Sequence, residues 1–387
     1  MSNVYVYLLG LILVEALLFT LVKTQRSLRD RLEKHRVDVG FLTILIDIGT
    51  ASKLRRVVPP GSKSLKNVVF IAGVLNMALM IAYLYLTLIN AVEGLFRAVS
   101  AGEVPVSPFV PVIPGITISP EMLIPLILSI GIAMVVHELM HALVALLEKV
   151  EIESWGIGLF IIFPAAYVKL SENSFNEAPR KSKASILSAG ILGNSLIALL
   201  ALGLISLFSA QVSLAPVIID LDRSNPELPA LQANISTPSI ILEVNGSKIK
   251  NLGEFTSLLR SLINQSVVLV LKTQRCVREG YRIVETGIVE TYVVRKPAGS
   301  RLGVYLSELV TPDTPEYVIE ALFYTNWVFI VNLSLAIINA APIFVSDGGR
   351  IITEILSRYS KKLNYVIQGI TSVTIAILLV IGLINYI

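Results

Sequence analysis

The stretch Ile124-Pro-Leu-Ile-Leu-Ser-Ile-Gly-Ile-Ala-Met-Val-Val-His137-Glu138-Leu-Met-His141-Ala-Leu-Val-Ala-Leu-Leu147 decides how this chain is read. It is apolar almost throughout and long enough to cross a hydrocarbon core of ~30 Å. In a helix, His137 and His141 stand one turn apart on the same face. Both imidazoles can then reach a single metal ion, with Glu138 beside them. A charged side chain at the centre of a span costs about 2.5–3.5 kcal/mol. A chain that carries Glu138 there has a use for it.

Composition agrees with a membrane setting. Of 387 residues, 54% are hydrophobic and 16% charged, which excludes an ordinary soluble globular protein and predicts a polytopic α-helical membrane protein. Six apolar segments have spanning length, roughly 4–23, 68–92, 121–147, 184–208, 317–341 and 364–386. The stretch from Val4 to Val22 is too long for a cleavable signal core and reads as a retained first span. A single cysteine, Cys276, excludes an intrachain disulfide.

The net charge of +4 says less than its distribution. Arg26, Arg29, Arg31, Lys34, Arg36, Lys53, Arg55, Arg56, Lys63 and Lys66 crowd the first loop, so the positive-inside rule makes that loop cytoplasmic and puts the N-terminus outside. Arg180, Lys181 and Lys183, and later Arg350, Arg358, Lys361 and Lys362, fall on the same inner side. Segments 93–120 and 209–316 fall outside. Within the basic loop, Val39 to Ile48 is too short to span and is expected at the interface or packed on the bundle.

Residues 152–170 are apolar but interrupted by Gly156, Gly158 and Pro164, which predicts a re-entrant β-hairpin rather than a helix. Trp155 and Tyr167 would anchor it at the membrane surface. Segment 212–308 changes character. Alternating runs at Ile240 and Val267, a turn at Asn245-Gly246 and helical spacing from Leu252 to Leu262 predict an inserted α+β domain.

Two histidines do not complete a catalytic zinc site, which takes three protein ligands and keeps a fourth position for water. His35 lies in the basic loop and reads as solvated. Asp347 is the better third ligand, in Asn339-Ala-Ala-Pro342-Ile-Phe-Val-Ser-Asp347-Gly348-Gly349-Arg350. Pro342 breaks the fifth span and the two glycines allow a sharp turn, so the carboxylate is presented from a broken helix. On the charge-derived topology His141 and Asp347 reach the same depth. Arg350 would extend to the inner headgroups, and the mid-span Glu15 would pair between helices or protonate.

A His-Glu-x-x-His span followed by Asn-x-x-Pro-x-x-x-x-Asp-Gly resembles the site-2 protease family of intramembrane zinc metalloproteases. Ser188-Ala-Gly-Ile-Leu-Gly-Asn194 resembles that family's Ala-Gly-x-x-x-Asn stretch, and Ile240 to Phe255 resembles the strand–turn–helix signature of a PDZ domain. The resemblance implies zinc on His137, His141 and Asp347, with Glu138 as general base acting on the bound water. Asn339 and Asn194 are implied as donors to the oxyanion, although amides in spans also serve as interhelical glue.

The resemblance covers roughly residues 110 to 350, and with the span count it divides the chain into four regions. These are spans one and two with the basic loop over 1–110, outside the resemblance, the first part of the catalytic core over 111–210, a PDZ-like extracytoplasmic domain over 211–310, and the second part with the last span over 311–387. The expected partners are transmembrane protein substrates already shortened by a first cut, and the lipid bilayer, with no nucleic acid. The expected location is a prokaryotic plasma membrane, with the active site towards the cytoplasm. A catalytically inactive PDZ-bearing scaffold or chaperone is the alternative from a different class.

Overall fold

The computed structural model describes residues 2–49, 63–280, 282–356 and 358–386, so Lys53, Arg55 and Arg56 of the basic loop lie outside the described residues. The chain begins with helices α1 (Ser2–Thr24) and α2 (Arg26–Lys34), then strands β1 (Val37–Gly40) and β2 (Thr43–Gly49). Helix α3 (Lys63–Ala101) and α4 (Leu123–Leu147) lead to the hairpin β3 (Ile152–Phe160) and β4 (Phe163–Leu170). A short α5 (Glu172–Glu177) precedes α6 (Arg180–Ser209).

Five helices among the described residues are long and apolar enough to cross a membrane: α3, α4 with its preceding turn, α6, and two later ones at Glu316–Ala340 and Lys361–Ile384. Helix α1 covers the first segment expected to span. Helix α3 runs well past the apolar window 68–92 at both ends. Its flanks, Lys63 to Asn67 and Glu93 to Ala101, carry the charges of Lys63, Lys66, Glu93 and Arg97, residue types that suit a helix, so the helix outlasts the lipid-compatible stretch.

The basic loop departs from its reading as a simple interfacial patch. Val39 to Ile48 folds into the β1–β2 hairpin, and β2 pairs antiparallel with β3, giving a four-stranded sheet in the order β1-β2-β3-β4. The cause is local. A Cβ at Gly156 would collide with the Ile46 carbonyl, and one at Gly158 with that of Ile44. These two glycines give β2 room to come alongside β3, and the N–H and C=O groups of the apolar segment find partners there.

The chain forms two compact units: residues 1–204 with 324–387, and residues 205–323. The helical unit packs around Ile186, Leu187, Ala189 and Ile191 of α6, Ala142 and Ala145 of α4, and Ala336 and Ala340. The second unit contains β5 (Leu214–Leu221), α7 (Pro229–Gln232), β6 (Ser239–Val244), β7 (Ser247–Lys248), α8 (Leu252–Ser261), β8 (Val267–Glu279), β9 (Arg282–Lys296) and β10 (Val304–Val310). Its strands run β5-β10-β9-β8-β6-β7, and an added β5–β6 pairing closes them into a barrel-like sheet. Asn245 and Gly246 take positive φ of 50° and 80° in the β6–β7 turn, the left-handed pair that a tight hairpin needs.

Asn251 caps α8 by accepting from the Glu254 N–H at 2.8 Å, and the helix seats Phe255 wholly inside the barrel. Burying a side chain of that size stabilises by about 1.5–3 kcal/mol. After the barrel come α9 (Glu316–Ala340), α10 (Asp347–Leu356) and α11 (Lys361–Ile384).

One ion pair staples the long β8–β9 hairpin. Arg275 reaches Glu290 through Nη2 at 2.7 Å and Nε at 2.9 Å, and the Tyr292 hydroxyl also donates to that carboxylate. These donors hold the Glu290 carboxyl down at about 2, from an ordinary value of 4.5. A depressed acid stabilises the folded form above its unfolded pKa and loses that contribution as pH falls through the folded value. Glu290→Gln therefore lowers the thermal stability of the full chain at pH 7. The difference from the parent closes as pH falls from 4.5 towards about 2. Unfolding followed by circular dichroism across that range reads it; a gap that stays constant would place the stabilisation elsewhere.

Candidate active site

Helix α4 turns His137 and His141 into the protein, where they are 5% and 8% exposed. Their Nε2 atoms lie 3.1 Å apart, and each is 3.1 Å from Oδ2 of Asp347. Three donor atoms thus mark the corners of an even triangle. Tetrahedral zinc with bonds of ~2.0–2.1 Å would set its ligand atoms about 3.3 Å apart, so the triangle has to open by only about 0.2 Å to take it.

The carboxylate arrives as the chain allows. Helix α9 ends at Ala340, ahead of Pro342, and α10 starts at Asp347 itself. The acid therefore sits in the first turn of a helix, where unpaired N–H groups favour a negative charge. Ser346 ties the connection: its hydroxyl donates to the Ala341 and Ile343 carbonyls and accepts from Gly349 N–H at 3.0 Å. A Cβ at Gly348 would strike the Ala340 carbonyl, and one at Gly349 that of Ile343. Only glycines let α10 start this close to the end of α9.

The hydrogen bonds behind the imidazoles test whether this set suits a metal. His141 Nδ1 is 2.7 Å from the Ile186 carbonyl, which can only accept. Nδ1 therefore carries the proton, and the Nε2 lone pair points at the triangle. His137 Nδ1 meets the Asn194 amide at 3.3 Å, while Asn194 Oδ1 is buried with no partner among the described residues. A half-turn of that amide sets Oδ1 on Nδ1–H and satisfies the orphaned oxygen. His137 then takes the same tautomer as His141. Three lone pairs facing one another, with no proton between them, fit a cation such as zinc.

His137, Glu138, His141, Asn339 and Asp347 all line one cavity of about 840 Å³. Glu138 is fastened there, because its Oε2 accepts from the Val168 N–H of β4 at 2.9 Å. Asn339 stands on the last turn of α9 and faces the same space. Asn194 is fully buried behind His137 and is not among the residues that line the cavity. Among the described residues His137, His141 and Asp347 form the cluster whose ligand atoms converge; His35 caps α2, exposed to solvent.

Four groups around the site hold places that the sequence did not assign to them. A Cβ at Gly190 would stand 2.5 Å from His141 Nε2 and 2.6 Å from His137 Nε2, so α6 passes the triad at backbone distance. The Ile186 carbonyl orients His141. Tyr167, read as a surface anchor, lines the cavity. Arg350, read as reaching for headgroups, lines it too and stacks over Phe175 at 5.6 Å. The small-residue run around Gly190 signals a close helix approach; the other three leave no local pattern.

The family model described as peptidase family M50 matches residues 125–382, which include all three members of the triad. The chain belongs to peptidase family M50. This is the site-2 protease family, whose members are zinc metalloproteases, and with five apolar helices among the described residues the chain is a multi-pass membrane protein. An uncharacterized protein of Methanocaldococcus jannaschii is 29% identical over 226 residues, covering 58% of this chain; the chain spans about half of that relative, 55% of its length.

Substitutions at two positions probe this M50 site. Gly190→Ala puts a methyl group against both rings, so zinc content measured on the purified chain should fall sharply. Thermal stability should move by no more than about 1–3 kcal/mol, the usual cost of overpacking. Asn194→Ala should weaken zinc binding about 10–100-fold, as loss of a ligand's supporting hydrogen bond does, whereas Asn194→Asp keeps the acceptor and the affinity. Normal zinc affinity in Asn194→Ala combined with lost turnover would instead assign Asn194 to the oxyanion.

Proposed function

We propose that the chain is an intramembrane zinc endopeptidase that cleaves transmembrane segments of other membrane proteins. The observation carrying this reading is the triangle of His137, His141 and Asp347 donor atoms at 3.1 Å, opening on the cavity that also holds Glu138. Zinc on these three ligands supplies Lewis acidity, making a water acidic and polarising a peptide carbonyl.

The chain's own groups do the rest. Glu138 takes the proton from the attacking water and passes it to the leaving amine. Asn339, from the broken end of α9, donates to the oxygen of the tetrahedral intermediate. Asn194 and Ile186 hold the two imidazoles in the tautomer that leaves Nε2 free, which makes them positioning groups.

A substrate helix must unwind before its backbone can be attacked, because each carbonyl is already bonded within the helix. Strand β4 ends the sheet order, so an extended segment can add to its outer edge through main-chain hydrogen bonds. We place the β3–β4 hairpin at membrane depth as that template. The Val168 N–H on this edge is the one that holds Glu138, which brings substrate and base to the same strand.

The inserted unit, with its strand–turn–helix run from Ile240 to Phe255, serves as a PDZ-like gate on the outer side. It admits substrates whose outer part has been removed by an earlier cut, in regulated intramembrane proteolysis. The similar archaeal protein supports a prokaryotic plasma membrane as the location.

The reading is tested with the full chain in detergent and a fluorogenic transmembrane peptide. Glu138→Gln should keep its zinc and lose about 10²–10⁴-fold in turnover, the range that a general base contributes. Asp347→Ala should lose the zinc. Cleavage by Glu138→Gln at the parental rate would sink the proposal, and full zinc content in Asp347→Ala would remove that residue from the ligand set.

A further inference from the structure

A second cavity of the helical unit, about 330 Å³, opens where α6 begins. Three cations line it, Arg180, Lys181 and Lys183, together with an apolar wall that includes Phe70, Ala184 and Ile355. Little in the protein neutralises the charge. Lys183 pairs with Glu354 at 3.3 Å, and that carboxylate is the one acid on the wall. Lys181 donates to the Asn67 amide at 2.6 Å and lies 5.0 Å over the Phe70 ring, both uncharged partners. Arg180 has no ion pair among the described residues and is exposed.

The position suits an interfacial ligand. Arg180 is the first residue of one apolar span, and Phe70 stands two turns into another that starts at Lys63. The cations therefore mark the level where a span leaves the hydrocarbon, and the apolar wall continues into it. Unpaired N–H groups in the first turn of α6 add positive potential at the same place. Basic pockets between spans at this depth match an anionic lipid: phosphate on the cations, glycerol and the first methylenes on the aromatic and aliphatic wall.

We infer that this cavity is a binding site for the phosphate headgroup of an anionic phospholipid. The inference stands independently of the catalytic reading. It rests on charge complementarity, with three cations against one acid, and on apolar side chains that a free phosphate ion would leave unused. Leu187 and Glu354 border both this cavity and the catalytic one, so a bound headgroup also braces α10, whose first residue is Asp347.

The test uses the full chain in phosphatidylcholine nanodiscs doped with phosphatidylglycerol, with retained lipid read by native mass spectrometry. One phosphatidylglycerol should stay bound per chain, in preference to phosphatidylcholine. Arg180→Gln with Lys181→Gln should weaken it about 25-fold, at about fivefold, or ~1 kcal/mol, for each charge near a membrane surface. Ala184→Phe fills the apolar wall without altering charge and should also displace the lipid. Lys361→Gln with Lys362→Gln removes two exposed cations from the start of α11, outside the cavity, and should change nothing. Equal losses in both double variants would mean a general surface potential and overturn the site. So would unaltered binding in Ala184→Phe, or displacement of the lipid by inorganic phosphate.

Discussion

Two imidazoles and a carboxylate meet inside an apolar bundle with their lone pairs aimed at one point. Such an arrangement is unfavourable on its own, since polar groups withdrawn from water need partners. It persists because every outer face of the triad is engaged: His141 by the Ile186 carbonyl, His137 by Asn194, and Asp347 by the first turn of its own helix. The inner faces are left for something positive. Most of the helical unit is explained by what this convergence needs from its neighbours.

Close approach is the first need. Helix α6 passes within backbone distance of both histidines at Gly190, and α10 presses against the end of α9 at Gly348 and Gly349. The same device recurs in the sheet, where Gly156 and Gly158 let the N-terminal hairpin reach β3. That addition covers one side of β3 and leaves β4 as the edge next to α4, joined to it through Glu138 and Val168. The glycines thus set the distances, and the side chains on either side do the chemistry.

The parts legible from sequence were those with local causes. His137 and His141 announce themselves by helical spacing, Asp347 by the proline and glycines around it, and the β6–β7 turn by Asn245-Gly246. Hydropathy located the apolar stretch of α3 but missed its ends, because the helix continues where charged residues begin. Partners chosen across the chain left no such mark. Nothing near Val39 says that its hairpin will pair with a strand more than a hundred residues away, since a strand's partner depends on which edge the fold leaves open. Asn194 carried the right residue type for two roles, and only its place on His137 Nδ1 separates orienting a ligand from touching a substrate.

His137 and Asp347 are 210 residues apart, and the whole barrel-like unit is spliced into the chain between them. It departs from α6, which lies against both histidines, and returns into α9, which delivers the chain to Asp347. Viewed as polymer, the triad is the clasp of a necklace and the insertion is strung on it. Closing a loop grows dearer only with the logarithm of its length, about 0.6 kcal/mol for each doubling. The length of what hangs on the strand therefore matters little to the entropy of bringing both ends back to the clasp.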